Sequence, residues 1–263
     1  MRTLVKYECK RMMTSKEMIF SLMLGLGISF WYLGQYVWNQ NIYQGNYFPE
    51  TMFQKWIGGF VFPLQSFLYY LMLPFIGVLP GGATFYEDME SGLISNICLR
   101  CKKSKYLLAK YIAVFITSGV AFSVPLIVNL LFCVAHFPAL VPEAFTNIGP
   151  SGNFLFFSLY FSNPWGYLIL FLILGFLFAG GTACIALPVS FYVKHKAGVL
   201  LTPFILYFGV YCMDNIIGEG EFAPNYFLIS GVGIENVWEL IVPFTVFIIA
   251  FLVYIWKGLR YEG

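Results

Sequence analysis

Charge is what this chain has least of. Of its 263 residues only 15 are basic and 13 acidic, while 59% are hydrophobic and 20% aromatic, with a mean hydropathy of +0.76. An average soluble domain is about 25% charged and covers itself with a surface that is roughly 40% polar. This composition excludes a soluble enzyme, a disordered chain and a nucleic-acid binder, and it describes a polytopic membrane protein.

Other scarcities narrow the chemistry. The only histidines, His136 and His195, fall at opposite predicted faces of a membrane and cannot share a site. The six cysteines are scattered rather than dense, unlike a disulfide scaffold. Cys98 and Cys101 have CxxC spacing, but no second pair completes the four ligands of a structural zinc site, so they read as free thiols and no metal is expected. Within the apolar runs there is no HExxH, no Ser/His pair and no paired carboxylates, which argues against an intramembrane enzyme. No GxxxxGK[ST] occurs, so the chain has no phosphate-cradling loop of its own, and any ATP it uses is bound by another polypeptide. No Lys, Arg, Asp or Glu lies near the middle of an apolar run, which argues against a self-powered ion-coupled carrier.

What is present in quantity is long charge-free sequence. A helix needs about 20 apolar residues to cross the hydrocarbon core. The most apolar stretches are 18–38, 62–85, 107–136, 165–193, 198–213 and 239–256, which predicts an all-α integral membrane protein of six transmembrane helices. With both termini cytoplasmic, every basic residue except Lys55 falls inside, the asymmetry expected of inner loops. Residues 18–38 are too long for a signal peptide and lack a small-residue cleavage site, so they read as an uncleaved first span. Residues 1–16 are predicted to form an amphipathic interfacial helix with Val5, Cys9 and Met12 on one face, an arc that Glu8 interrupts. Pro63, Pro74, Pro80, Pro125, Pro188 and Pro203 punctuate the spans, either as hinges or as ordinary membrane-helix composition.

The largest inner loop, 87–105, opens with acids and closes with bases, an order that suits a helix dipole. Met89, Leu93 and Ile97 fall at i, i+4 and i+8 and would form one apolar strip. Such a helix could dock into a groove of a soluble partner; equally, the loop could be a charged turn anchoring two spans. With its E-x-x-E-x-G pattern at Glu87, Glu90 and Gly92, followed by Lys105, Tyr106 and Lys110, and with a basic N-terminal helix and six spans, the whole chain resembles the ABC-2 type family of ABC transporter permeases. The resemblance implies that 87–105 is a coupling loop seated on an ABC ATPase subunit, with Glu87, Glu90, Gly92, Met89, Leu93 and Ile97 at the contact. ATP and magnesium would then be held by that partner, with no cofactor bound by this chain.

The resemblance also implies a broken external segment between spans five and six. Residues 214–238 fit a re-entrant or interfacial hairpin, because the apolar run 222–234 carries Pro224, Gly231 and Gly233 and is too short to cross. The first outer loop and the long loop 137–164 are rich in rings. Tyr43, Trp56, Phe156, Tyr160, Phe222 and Tyr226 are therefore either an interfacial aromatic belt or an outer surface that handles substrate. The chain thus reads as a single permease domain, 1–263, of a multi-pass protein of a bacterial plasma membrane, paired with a second permease copy and surrounded by lipid. Its expected function is ATP-driven export of an apolar or amphipathic cargo such as a peptide antibiotic, drug or lipid-like molecule, self-immunity among the uses. The competing reading is a non-transporting sensor or assembly scaffold that docks a cytoplasmic ATPase.

Overall fold

The computed structural model describes residues 1–38, 40, 49–60, 63–99, 101–142, 154–217 and 223–261. Among them every regular element is a helix: α1 (Arg2–Met13), α2 (Lys16–Tyr36), α3 (Met52–Lys55), α4 (Leu64–Leu71), α5 (Leu73–Val78), α6 (Thr84–Glu90) and α7 (Leu93–Cys98), followed by α8 (Lys103–His136), α9 (Phe157–Ser162), α10 (Pro164–Val189), α11 (Lys196–Ile217), α12 (Pro224–Phe227) and α13 (Trp238–Arg260). Five of these, α2, α8, α10, α11 and α13, are long and apolar enough to cross a membrane. The chain is built as a multi-pass membrane protein.

Local chemistry explains several helix ends. Ser15 caps α2 by accepting from the Met18 N–H at 3.1 Å, and Asn163 caps α10 by accepting from the Gly166 N–H at 3.0 Å. Pro164 occupies the first turn of α10, where its missing N–H costs no bond. The 34-residue α8 is about 51 Å long at 1.5 Å per residue. It therefore overreaches a hydrocarbon core about 30 Å thick, and its first turns, with Lys103, Lys105 and Lys110, are free to stand at the boundary.

The predicted second span, 62–85, is not one helix. It is divided into α4, α5 and the start of α6, with the turn 79–83 between the last two. Pro74 and Pro80 cause this, because each withholds the amide that a regular helix would present to the carbonyl four residues earlier. Neighbouring helices make good the loss: the Tyr207 hydroxyl of α11 donates to the Tyr70 carbonyl at 2.9 Å, and the Ser21 hydroxyl of α2 donates to the Ile76 carbonyl at 2.6 Å. One turn before Pro125 in α8, the Tyr69 hydroxyl donates to the Phe122 carbonyl at 2.5 Å, tying α4 to α8. The broken piece α5 is thereby wedged among α2, α8, α10 and α11.

Helix α10 lies at the centre, against α8, α13, α5 and α11. Its small residues are notches for rings. A methyl on Gly180 would meet the Phe115 carbonyl at 2.8 Å, and one on Gly181 would strike the Phe247 ring. One end of the bundle is closed by the chain around α3 and α12: the Tyr167 hydroxyl donates to the Ser230 carbonyl at 2.7 Å, and the Ser230 hydroxyl donates to the Gly58 carbonyl. Gly231 packs directly on the backbone of Gly59, leaving no room for a Cβ. The predicted hairpin 214–238 is therefore, in its described part, a single short helix followed by buried chain, with Phe227, Leu228, Ile229 and Ile234 in the main core. At the opposite end gather α1, α6, α7 and the basic ends of α8, α11 and α13.

Replacing Tyr207 by Phe removes a buried hydrogen bond from the Tyr70 carbonyl, which keeps a backbone N–H at the end of α4, a loss of about 0.5–1.5 kcal/mol. A clear drop in the detergent-solubilised melting temperature is expected for Tyr207→Phe, and none for Tyr7→Phe, whose ring is exposed.

Candidate functional site

The densest polar chemistry lies where α1, α6 and α8 meet. Lys110, on α8, is fully buried; its ammonium donates to Glu8 at 2.8 Å and to Asp88 at 2.6 Å. The second oxygen of Asp88 accepts from the Arg11 guanidinium at 2.7 Å, and the Tyr106 hydroxyl donates to the first at 2.6 Å. Arg11 also faces Glu8 at 3.9 Å. Two carboxylates and two cations thus close on each other, a net-neutral arrangement that burial tolerates only because every charge has an opposite within reach. Burial alone would lower the affinity of Arg11 for its proton, but the hydrogen bond and charge of Asp88, helped by Glu8 and Glu87, outweigh it and raise the pKa. Arg11 is therefore a fixed cation.

A second, wetter chain of ion pairs continues from this core. Glu87 lies 2.6 Å from Lys196 on α11 and 4.0 Å from Arg11, and Lys196 is 3.3 Å from Glu17 on α2. A polar cleft of 210 Å³ beside it is bordered by Arg11, Ser15, Glu17, Thr84, Glu87 and Lys196. These contacts link α1, α2, α6, α8 and α11 at one end of the bundle. The inner pairs are shielded from water and salt; the outer ones, being about 40% exposed, are screened and individually weak.

The predicted coupling residues split between these settings. Glu87 is held by Lys196, whereas Glu90 is exposed and has no ion pair among the described residues. Gly92 has φ +67°, a left-handed conformation, with open space where a side chain would stand; it ends α6 and turns the chain into α7. That elbow overturns the expected continuous strip. Met89 sits on α6 and Leu93 and Ile97 on α7; Met89 and Ile97 pack against the bundle's own second core rather than presenting a free face. Leu93, Ile97 and the 87%-exposed Leu99 border a 750 Å³ cleft closed on its other side by Met1, Thr3 and Leu4 of the N-terminal helix.

The outer aromatic candidates are corrected more sharply. Trp56 and Tyr160, each 1% exposed, belong to the main core, where Tyr160 packs on Phe60 and Tyr167. Phe156 is half-buried against the same core, and Tyr226 stacks near Phe67 and Tyr211. Tyr43 and Phe222 lie outside the described residues. Rings expected at a wet surface are drawn inward because the chain around α3, α9 and α12 folds over the bundle end and supplies ring edges and apolar chain for them to pack against, although the Tyr160 hydroxyl finds no hydrogen-bond partner there among the described residues. Lys55, the one base expected outside, is itself buried in an ion pair with Glu50 at 2.8 Å.

Two members of the buried cluster, Arg11 and Asp88, were not singled out by motif reasoning, Tyr106 and Lys110 entered only as part of the segment leading into the third span, and Glu8 read as a flaw in an amphipathic helix. The signal was there as a mutual anomaly: an acid on the apolar side of α1 and a lysine two turns into an apolar helix, each unaffordable alone. Searches against protein-family models and against curated proteins find no match to this chain.

Breaking a buried pair by removing one partner costs about 3–5 kcal/mol, mostly from the charge left behind. Lys110→Met should therefore unfold the solubilised protein at a markedly lower temperature, and the double change Glu8→Gln/Lys110→Met should recover part of that loss in a double-mutant cycle.

Proposed function

We propose that the chain is the membrane subunit of an ATP-driven exporter of the ABC-2 type, with α6, the Gly92 elbow and α7 as the element that receives force from an ATPase partner. The observation that carries this reading is the Asp88–Lys110 contact. It places the buried anchor of the elbow on α8, a helix long enough to cross the membrane, so a displacement of α6 cannot leave α8 unmoved. Flexible surface loops lack such an anchor. In this reading α4–α6 form a sixth, broken crossing, and both termini lie in the cytoplasm of a bacterial cell. Two copies face each other, ATP and magnesium sit on the partner, and an apolar or amphipathic cargo is moved outward. The exposed groups at the elbow, Glu90 and Leu99, are better placed to meet the ATPase than Glu87, which Lys196 already holds.

The scaffold reading draws on a different observation: the rings proposed to handle cargo, Trp56 and Tyr160, are sealed in the core. The two readings separate at Glu90. With a candidate P-loop ATPase subunit co-expressed, Glu90→Lys/Leu99→Asp should lower ATPase co-purification and cargo efflux at unchanged membrane abundance. Loss of co-purification while the unaltered pair shows no efflux and no cargo-stimulated hydrolysis would favour the scaffold; unchanged co-purification would remove the elbow as the docking element.

Topology has its own check. In intact cells a membrane-impermeant thiol reagent should leave Cys101 unmodified until the membrane is opened, since Cys101 lies half-buried at the end of the bundle that carries the basic residues.

A further inference from the structure

Helices α11 and α13 both lie against α10 yet make no extended contact with each other. The gap is an apolar crevice of 310 Å³, floored by Phe178, Thr182 and Ile185 of α10 and walled by Leu206 and Tyr207 of α11 and Val246 of α13. It offers an occupant no free hydrogen-bonding hydroxyl. The Thr182 hydroxyl is engaged by the Phe178 and Ala179 carbonyls at 2.8 and 3.1 Å, and that of Tyr207 by the Tyr70 carbonyl. Pro203, Pro224 and Pro243, which also line it, have no amide to give. Water needs two to four polar partners to settle in a cavity, so a crevice with this lining holds hydrocarbon.

Beyond the crevice, helical register carries the same faces of α10 and α13 toward the basic end of the bundle. Along α10 the positions 178, 182, 185 and 189, and along α13 the positions 243, 246, 250, 253 and 257, keep one face by steps of three and four, and Tyr192 follows in the turn after α10. Both rows end together: the Lys257 ammonium sits 3.2 Å from the centre of the Tyr192 ring. One turn further, Arg260 lies over the exposed Trp256 at 4.4 Å. Lys103 donates to the Leu259 and Tyr261 carbonyls beside them and adds a third positive charge. Of the acids of this end, Glu8 and Asp88 are engaged by Lys110 and Arg11, and Glu17 and Glu87 by Lys196, while Glu90 is exposed at the end of α6 and forms no ion pair with a described base. Among the described residues no carboxylate comes within ion-pair distance of Lys103, Lys257 or Arg260, and Glu262 lies outside those residues.

We infer that these faces and the crevice are a binding site for one anionic glycerophospholipid, its phosphate at Lys257 and Arg260 and one acyl chain lying along α13 into the crevice between α11 and α13. The dimensions agree. From Lys257 to Val246 is roughly 16 Å at 1.5 Å per residue, about the depth of one leaflet of a 30 Å core. Positive charge selects the head, and the unpartnered apolar gap selects the tail. A free phosphate would satisfy only the first, and an acidic protein surface could not reach the second. Trp256 and Tyr192 mark the level at which head and tail divide.

The site is tested on the purified full chain in detergent, without an ATPase, so the result is independent of the export reading. Dioleoyl-phosphatidylglycerol, dioleoyl-phosphatidylcholine and sodium phosphate are added separately, and retention is followed by native mass spectrometry alongside the melting temperature. Phosphatidylglycerol should be retained more strongly than phosphatidylcholine and should raise the melting temperature, while sodium phosphate should do nothing. Lys257→Gln/Arg260→Gln should reduce the preference for the anionic lipid by about fivefold per charge removed, and Lys257→Arg/Arg260→Lys should retain it. Val246→Trp and Leu206→Trp, at partly exposed positions that tolerate a larger ring, should weaken retention of both lipids by filling the crevice. Equal retention of the two lipids by the unaltered chain overturns the inference. So does stabilisation by sodium phosphate equal to that by phosphatidylglycerol, or retention that neither ring-filling change alters.

Discussion

A single ammonium group holds one end of this molecule together. Lys110 is buried between Glu8 and Asp88, and it is the one side chain of the cluster that pairs with acids of both other helices, α1 and α6. Taking such charges out of water is costly, so the cluster contributes less to stability than to specificity. It dictates that α1 lies against α8, and that α6 begins its elbow at one position relative to the bundle. Arg11 and Tyr106 complete the cluster by occupying the remaining oxygens of Asp88, and the more exposed Glu87–Lys196–Glu17 chain extends the same logic to α2 and α11. The elbow and α8 are thereby tied at one buried contact.

The apolar interior imposes the complementary constraint. Backbone groups there must find partners within the protein, since hydrocarbon supplies none. Each proline that interrupts α4–α6 creates a carbonyl without its amide, and a hydroxyl from another helix replaces it: Tyr207 for Tyr70, Ser21 for Ile76. A broken helix is therefore not a loose one here. Its gaps are the points at which α2 and α11 are tied to it, and the prolines direct tertiary contacts as much as they bend the chain.

The partner that a ring meets also separates the two kinds of aromatic residue. Where a ring's hydroxyl or edge meets a folded-over segment, as with Tyr167 on Ser230 or Tyr160 against Tyr167, it enters the core. Where it carries a cation, as Trp256 carries Arg260, it stays at the surface beside exposed aliphatic residues of α13. The apolar gap between α11 and α13 persists because both helices are held by α10 and make no extended contact with each other.

The scarcity of charge, the long apolar runs and the position of almost every base by themselves determined that this is a helical, multi-pass membrane protein, and they located five long helices to within a few residues. Those properties follow from hydrophobicity and length, which are local and add along the chain. The acid–glycine pattern at Glu87, Glu90 and Gly92 was legible too, although the glycine serves a left-handed elbow rather than close approach or a continuous helix. Only the tertiary structure decided that 62–85 would break into pieces, that Trp56 and Tyr160 would be core, and that Glu8, Arg11, Asp88, Tyr106 and Lys110 would form one cluster. Each of these depends on a partner far away in sequence, whether a hydroxyl replacing an amide, a folded-over segment covering a ring or an opposite charge neutralising a buried one. Periodicity read along one segment carries no information about which distant residue will supply it.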